Sequence, residues 1–378
     1  MSEKVLLVGL LSKLLPLAGS ILAYLSIVTV HEFGHFIFCK IFNVRTPTFS
    51  IGVGPVLWKK TFWDTEFCLS LLPLGGFVEI GGLGEPGQGD QEFADDQGEQ
   101  SFAVKPYWQK MLILSGGIMF NLLFAFLIYT SLFTFGMPKN KIEEIKITSV
   151  VPDGPAAQAG LKEGDIIIGM DGKDFNAKEG NHISSSDFSM KIKESNGVPL
   201  HFSIKRGEET HDISITPASE DPNDRLAPAK IKAGLSTKLG YENTPGVTII
   251  NAIKKGWELI REQVAGSLES IKYLFKEKSL NGVAGPIFIA SELFKTAEIS
   301  FKLFLVLVSF INIGLATMNL LPLGALDGGQ MLFATIEAIT RRKLSDSFKI
   351  WVNIISLGLF GLLFAYLILR DTLSLFGK

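Results

Sequence analysis

Four stretches of this chain stay apolar long enough to cross a hydrocarbon layer of about 30 Å, which takes about 20 helical residues. They run from about Leu14 to Cys39, Met111 to Met137, Leu303 to Leu326 and Ile350 to Leu369. The pattern predicts four transmembrane helices. The first run holds no residue charged at neutral pH before His31, the only side-chain amide in the second is Asn121, and the third carries Asn312 and Asn319. A signal peptide competes for the first run, but its length and the Lys13 that divides its start favour an uncleaved span. Between the first two runs, Thr46 to Ile80 is rich in aromatic and β-branched residues, with turn residues at Gly52–Pro55 and Pro73–Gly76. That predicts a membrane-associated β-hairpin, whose open edges must be satisfied by protein or water. Gly81 to Gln100 is Gly-rich and acidic and reads as a mobile solvated loop. From Gly246 to Phe275 apolar residues recur at helical spacing, putting Ile253, Trp257, Ile260 and Val264 on one face. Such a helix fits a membrane surface and a domain face equally well.

Composition agrees with membrane spans plus a soluble part: 47% of the 378 residues are hydrophobic, 20% are charged, and the mean hydropathy is +0.30. The net charge of -2 gives no electrostatic footprint for nucleic acid. Two cysteines, Cys39 and Cys68, make neither a C-x-x-C nor a disulfide framework, and read as small core residues. Lys40, Arg45, Lys59, Lys60, Lys105 and Lys110 flank the first connection, and Arg341, Arg342, Lys343 and Lys349 fill the last. The positive-inside rule therefore puts both on the cytoplasmic side, with the segment from about Pro138 to Lys302 opposite.

Within the first run, VTVHEFGHFIFCK (28–40) places His31, Glu32 and His35 where lipid is the expected solvent. A charge at the bilayer centre costs about 2.5 to 3.5 kcal/mol on insertion scales, so such groups are usually functional. On a helix, His31 and His35 lie on one face and can aim two imidazole nitrogens at one point, while Glu32 emerges beside them. This is the H-E-x-x-H pattern of zinc hydrolases, with two Zn2+ ligands and a general base. The competing reading is a pair of hydrogen-bonded core histidines. It is the poorer one, because an unpaired Glu beside them would leave polar groups unsatisfied in a low dielectric.

Zinc needs a third ligand at the same depth, and MNLLPLGALDGGQ (318–330) offers Asp327. His31 lies roughly 26 Å along a helix begun at Leu14, toward the cytoplasmic end. Asp327 lies between the end of the third run and the basic connection at Arg341, a matching depth. Pro322, Gly324, Gly328 and Gly329 should unwind the helix, which a membrane tolerates only where protein or a wet cavity lines the break. A helix cap at Gly328 is the other role open to Asp327.

These stretches together resemble the site-2 protease family of intramembrane zinc metalloproteases, in its bacterial anti-sigma-factor-cleaving type. VHEFGHF (30–36) resembles its zinc-binding span, DTEFCLSLLPLGGFVEIGG (64–82) its β-hairpin and SFAVKPYWQKM (101–111) the approach to its second span. GVAGPIFIA (282–290) and NLLPLGALDGGQ (319–330) resemble the approach to its third span and its third-ligand motif. The resemblance implies that His31, His35 and Asp327 hold Zn2+, that Glu32 is the catalytic base, and that Asn319 contacts the substrate backbone or oxyanion. Two positions depart from the family pattern: Gly324 stands where a second proline is usual, and Ile118 follows Gly117 where a Gly-Pro is usual. The first should loosen the substrate-side segment and the second remove a kink.

VVPDGPAAQAGLKEGDIIIGMDGK (150–173) resembles a bacterial PDZ domain, with a short helix at Ala156–Ala159, Leu161 as an anchor, a strand at Ile166–Ile168 and a turn at Asp171–Gly172. A PDZ domain takes a peptide as an added strand. His182, His201 and His211 fall in this part and read as ordinary surface or turn residues. The expected fold is thus a polytopic α-helical membrane protein of about four transmembrane helices, with a membrane-associated β-hairpin and an inserted α+β PDZ domain. Its expected divisions are 1–137, 138–240 for the PDZ domain, 241–298 for an amphipathic linker, and 299–378. The resemblance implies a multi-pass protein of a bacterial inner membrane, its PDZ domain extracytoplasmic and able to take a peptide ligand. Its partners would be the lipid bilayer and single-span substrates such as anti-sigma factors or remnant signal peptides. The alternative is a PDZ-bearing scaffold or transporter with a vestigial metal site.

Overall fold

In a computed structural model of the chain, the residues described are 3–84, 93, 96–175, 183, 185–219, 230–277, 280 and 283–376. In chain order they form α1 (Glu3–Ile41), β1 (Thr48–Phe62), β2 (Thr65–Val78), α2 (Tyr107–Phe135), β3 (Pro138–Val150), α3 (Pro155–Gln158), β4 (Ile166–Met170) and β5 (Lys173–Asp174). There follow α4 (Ser185–Glu194), β6 (Leu200–Arg206), β7 (Glu209–Ile215), β8 (Ala233–Asn243), α5 (Ile249–Glu277), α6 (Pro286–Ile299), α7 (Phe301–Asn319), α8 (Asp327–Thr340) and α9 (Asp346–Phe376). The chain divides into two compact units, residues 1–135 with 246–378, and residues 136–245.

In the first unit, four helices among the described residues are long and apolar enough to cross a membrane: Lys13–Ile41, Tyr107–Phe135, Phe301–Asn319 and Asp346–Ser374. The third is shorter than the apolar run that predicted it. Hydropathy does not register that Pro322 lacks an N–H, so the run continues to Leu326 while α7 stops at Asn319. Between α1 and α2, the strands make more than a simple hairpin. Phe49 lies opposite both Phe67 and Val78, Ser50 opposite both Cys68 and Phe77, and Ile51 opposite both Leu69 and Gly76. Residues 48–51 are therefore an internal strand, and residues 76–78 lie outside it along one edge. Positive φ at Gly52, Gly54 and Gly75 makes the reversals there, a conformation that glycine adopts without steric cost. Phe36, Cys39, Phe49, Val78, Phe102, Ile113 and Leu114 are buried together, fixing this sheet against α1 and α2. Residues 85–92, 94 and 95 of the expected mobile loop lie outside the described residues. The parts beside them are held by Gly81 N–H donating to Arg45 O and Gly82 N–H donating to Phe93 O.

The α5 helix packs on α2 through a face that overlaps only in part with the one its periodicity suggested: Ile260 is common to both. Ala252, Gly256 and Ile260 are buried, whereas Ile253 and Trp257 are 45% and 61% exposed. Close approach decides this, because a Cβ on Gly256 would lie 3.1 Å from Thr130 Oγ1. Ala252 and Gly256 let the helices approach beside Ile260, and Ile253 and Trp257 are left outside.

The second unit is an antiparallel sheet in the order β7-β6-β4-β3-β8, with β5 beside β4. Its core gathers Ile145, Ile147, Leu161, Ile167, Phe175, Phe188, Phe202 and Ile215. Pro155 opens the short α3, and Asp171 and Gly172 both have positive φ where β4 turns into β5. Asp165 is 1% exposed and accepts from Lys162 N–H at 2.8 Å and from Arg206 Nε and Nη2, both at 2.7 Å. Its hydrogen-bonded Arg206 partner holds its carboxyl below the ordinary range. His201 is exposed and His211 half-buried near Glu209; His182 lies outside the described residues.

Candidate metal centre and active site

His31 and His35, one turn apart on α1, are both buried, and the backbone of α2 lies directly against them. Glycine is what allows that proximity. A Cβ on Gly34 would sit 2.1 Å from Gly116 O, and one on Gly117 would sit 2.5 Å from His35 Nε2 and from His31 Cε1. His35 Nδ1 lies 2.8 Å from Ile113 O, a carbonyl that can only accept, so the ring proton is on Nδ1 and Nε2 carries a free lone pair.

His31 has an amide partner in Asn121, whose Nδ2 lies 3.3 Å from His31 Nδ1 while its Oδ1 is buried without a partner. The two ends of an amide have the same shape. Turned end for end, Asn121 accepts from His31 Nδ1–H, its orphaned oxygen is satisfied, and His31 Nε2 is left unprotonated.

Asp327 is the first residue of α8, and Leu326 occupies the N-cap position, so the capping alternative does not hold. The Asp327 carboxylate faces the two rings: Oδ2 is 3.3 Å from His31 Nε2, and Oδ1 is 3.5 Å from His35 Nε2. The two Nε2 atoms are 3.3 Å apart. A tetrahedron with metal–ligand bonds of about 2.0 to 2.1 Å has edges of about 3.3 to 3.4 Å, so these three donors have the spacing of three corners of a zinc site. Asp327 Oδ2 is also buried without a hydrogen-bond partner, an arrangement a cation between the donors would resolve. One buried nitrogen, oxygen and nitrogen set of this kind therefore fits Zn2+.

Glu32 is half-buried beside the donors, and its Oε2 accepts from Val78 N–H at 3.1 Å. The outer strand of the sheet thus fixes the carboxylate that follows His31. Asn319, at the end of α7, brings its Nδ2 to 3.4 Å from His31 Nε2. All five residues singled out from the sequence meet in this place. Sequence reasoning gave no role to three others: Val78, Gly117 and Asn121. Asn121 carried a signal, as the one side-chain amide in the second apolar run. A backbone N–H such as Val78 carries none.

The sequence profile of peptidase family M50 matches residues 19–363. The chain belongs to peptidase family M50. This M50 peptidase, of the site-2 protease family, is a membrane metalloprotease. Two bacterial relatives share the name "Putative zinc metalloprotease". One, CPE1693 of Clostridium perfringens (strain 13 / Type A), is 28% identical over 93% of this chain and 97% of its own length. The other, from Helicobacter pylori (strain ATCC 700392 / 26695), is 31% identical over 83% of this chain and 86% of its own. The Membrane metalloprotease ARASP, chloroplastic, of Arabidopsis thaliana is 28% identical over 93% of this chain and 77% of its own length. Among solved structures, the PDZ domain of an SdrC-like protein from Listeria monocytogenes is 25% identical and covers 24% of this chain and 85% of that one, at a TM-score of 0.20. That score lends the fold no support.

Proposed function

We propose that this M50 peptidase is an intramembrane zinc endopeptidase that cleaves the transmembrane segments of single-span membrane proteins. The observation that carries the reading is the convergence of His31, His35 and Asp327 at 3.3 to 3.5 Å in a helix bundle that is apolar enough to span a membrane. Substrates of the class of anti-sigma factors or remnant signal peptides fit such a site. The membrane is a bacterial inner membrane, with the 136–245 unit, read as a PDZ domain, on the extracytoplasmic side. That unit either takes a peptide ligand or excludes large ectodomains.

His31, His35 and Asp327 would hold zinc, which supplies Lewis-acid polarisation of the scissile carbonyl and activation of water near neutral pH. Glu32 takes the proton of the attacking water and passes it to the leaving amine. Its Oε2 stays on Val78 N–H, so the other oxygen is aimed while the proton moves. Ile113 O keeps His35 in one tautomer, and Asn121 does the same for His31. The Asn319 amide, near His31 at the end of α7, would donate to a substrate carbonyl or oxyanion.

A substrate helix must unwind before its carbonyls are accessible. The strand at 76–78, paired on one side with 49–51 and joined to Glu32 through Val78, is suited to hold the unwound segment as an added strand. Glu32→Gln tests the reading: the variant should retain one zinc per chain and lose cleavage of a model transmembrane substrate. Undiminished cleavage would overturn it.

A further inference from the structure

Seven residues leave helical conformation between Asn319 and Asp327, so their backbone groups lose helical partners and need others. Several are satisfied locally. Leu320 N–H donates to Thr317 O, Leu321 N–H to Met318 O, Leu323 N–H to Leu321 O and Leu326 N–H to Leu323 O, and Pro322 has no N–H. Gly324 N–H instead leaves the loop and donates to Ser356 Oγ of α9 at 3.0 Å. Gly324 O accepts from Gln330 Nε2 at 2.7 Å, and the same Nε2 lies 3.4 Å from Asn353 Oδ1. The loop, the first turn of α8 and one face of α9 therefore meet in a single hydrogen-bonded knot. Gln330 lies three residues from Asp327 on the same helix, so the knot and the carboxylate move together.

The composition of α9 points to the same place. It is a largely exposed apolar helix, and among its described residues those buried are Asn353, Ser356, Leu367 and Asp371. Three of these four are polar. Asp371 accepts from Phe288 N–H at 3.0 Å, at the start of α6, so it too serves a backbone group. Asn353 and Ser356, one turn apart, serve the loop. Position 324 is fitted to them from both sides: a proline there has no proton to donate, and any Cβ would lie 2.5 Å from Asn353 Oδ1. The glycine that the sequence suggested would loosen this segment instead lets α9 seize it.

We propose that the fourth span is a positioning element of the metal centre: Ser356, with Asn353 and Gln330, pins the loop at Gly324 and so sets the Asp327 carboxylate against His31 and His35. This rests on the reading of His31, His35 and Asp327 as metal ligands. Two measurements on the full chain in detergent test it. In the metal-free protein, hydrogen exchange of a peptide covering 320–330 reads the pin without metal. Ser356→Ala should speed exchange at Gly324 by about tenfold, the order expected for one lost hydrogen bond, while Ser356→Thr, which keeps the hydroxyl, should stay near wild type. In the Co2+-loaded protein, the visible d–d absorption reports a tetrahedral site. Ser356→Ala should weaken or shift it and raise the zinc Kd, by competition with a chelating dye, about fivefold to tenfold, with Ser356→Thr again restoring both. Should Ser356→Ala not yield folded protein, Gln330→Met removes the donor to Gly324 O and is read in the same two ways. Unchanged exchange overturns the pin. Faster exchange with an unchanged Co2+ spectrum and zinc Kd overturns the positioning role. A wild-type chain that takes up neither cation refutes the metal reading itself, whereas metal bound in the wild type and undisturbed in Ser356→Ala refutes only the role of α9.

Discussion

Gly117→Ala adds one methyl group to the wall behind the metal centre, and its consequence can be worked from distances. The new Cβ would lie 2.5 Å from His35 Nε2, 2.5 Å from His31 Cε1 and 2.6 Å from His31 Nδ1. Ordinary contact begins at 3.4 Å, so rings or helices must part by about 0.9 Å. Moving α2 is resisted by its backbone contact with Gly34, and turning His35 breaks the 2.8 Å bond to Ile113 O. Overpacking of this kind costs about 1 to 3 kcal/mol. A displacement near 1 Å at reacting groups costs about 10²-fold in rate. We therefore expect zinc affinity and kcat/KM to fall together by roughly 10²-fold, with the fold retained. Zinc per chain after dialysis against a chelator and cleavage of a model transmembrane substrate are the assays. Gly314→Ala is the control, since a Cβ there meets nothing within 4 Å and should be silent. A Gly117→Ala enzyme with wild-type zinc content and turnover would refute the placement of the histidines against α2.

Asp327→Asn keeps the side chain's shape but removes the anionic oxygen, so zinc stoichiometry and cleavage should both drop without loss of helical circular dichroism; equal zinc content in the variant would exclude Asp327 as a ligand. In the second unit, Asp165 has a folded pKa below its unfolded value of about 3.9, so its contribution to stability is complete above that pH and is lost as pH falls through the folded value. Calorimetry of the full chain should show the transition of this unit moving to lower temperature below about pH 4, and Arg206→Gln should flatten that acid limb; an unaltered limb would remove the Asp165–Arg206 pair from the account. Deleting about residues 142–238 and rejoining the ends should preserve cleavage of a short-ectodomain substrate and admit longer ones, because all the proposed catalytic residues belong to the other unit. A deletion variant that folds and binds zinc but cannot cut the short substrate would show that the domain serves more than selection.

The polar break after α7 illustrates how far local pattern reaches. Pro322 and the glycines of the 318–330 segment announce that a helix must stop, because a missing N–H and missing Cβ atoms are properties of single residues. Where the freed N–H of Gly324 goes is not such a property. It depends on a serine in another helix, and the effect of the departure from proline reverses once that serine is in place. The same limit explains α5, where periodicity found a helix but the packed face was set by the small residues that let it approach Thr130.

By itself the sequence determined the four apolar runs, the strands between the first two, and the two histidines with their glutamate, since a spacing of four on a helix places two imidazoles on one face whatever surrounds them. It also singled out Asp327 and Asn319 as candidates by depth and by resemblance. Only the tertiary structure could bring Asn319 to His31 across 288 residues of chain, turn Val78 N–H toward Glu32, set the backbone of α2 against both rings, and anchor the Asp327 loop to α9. Those contacts are made by backbone groups, by the absence of side chains, and by polar residues distant in sequence. Hydropathy and spacing are sums over neighbours in the chain, and they hold no record of which distant group a free N–H or a bare Cα will meet.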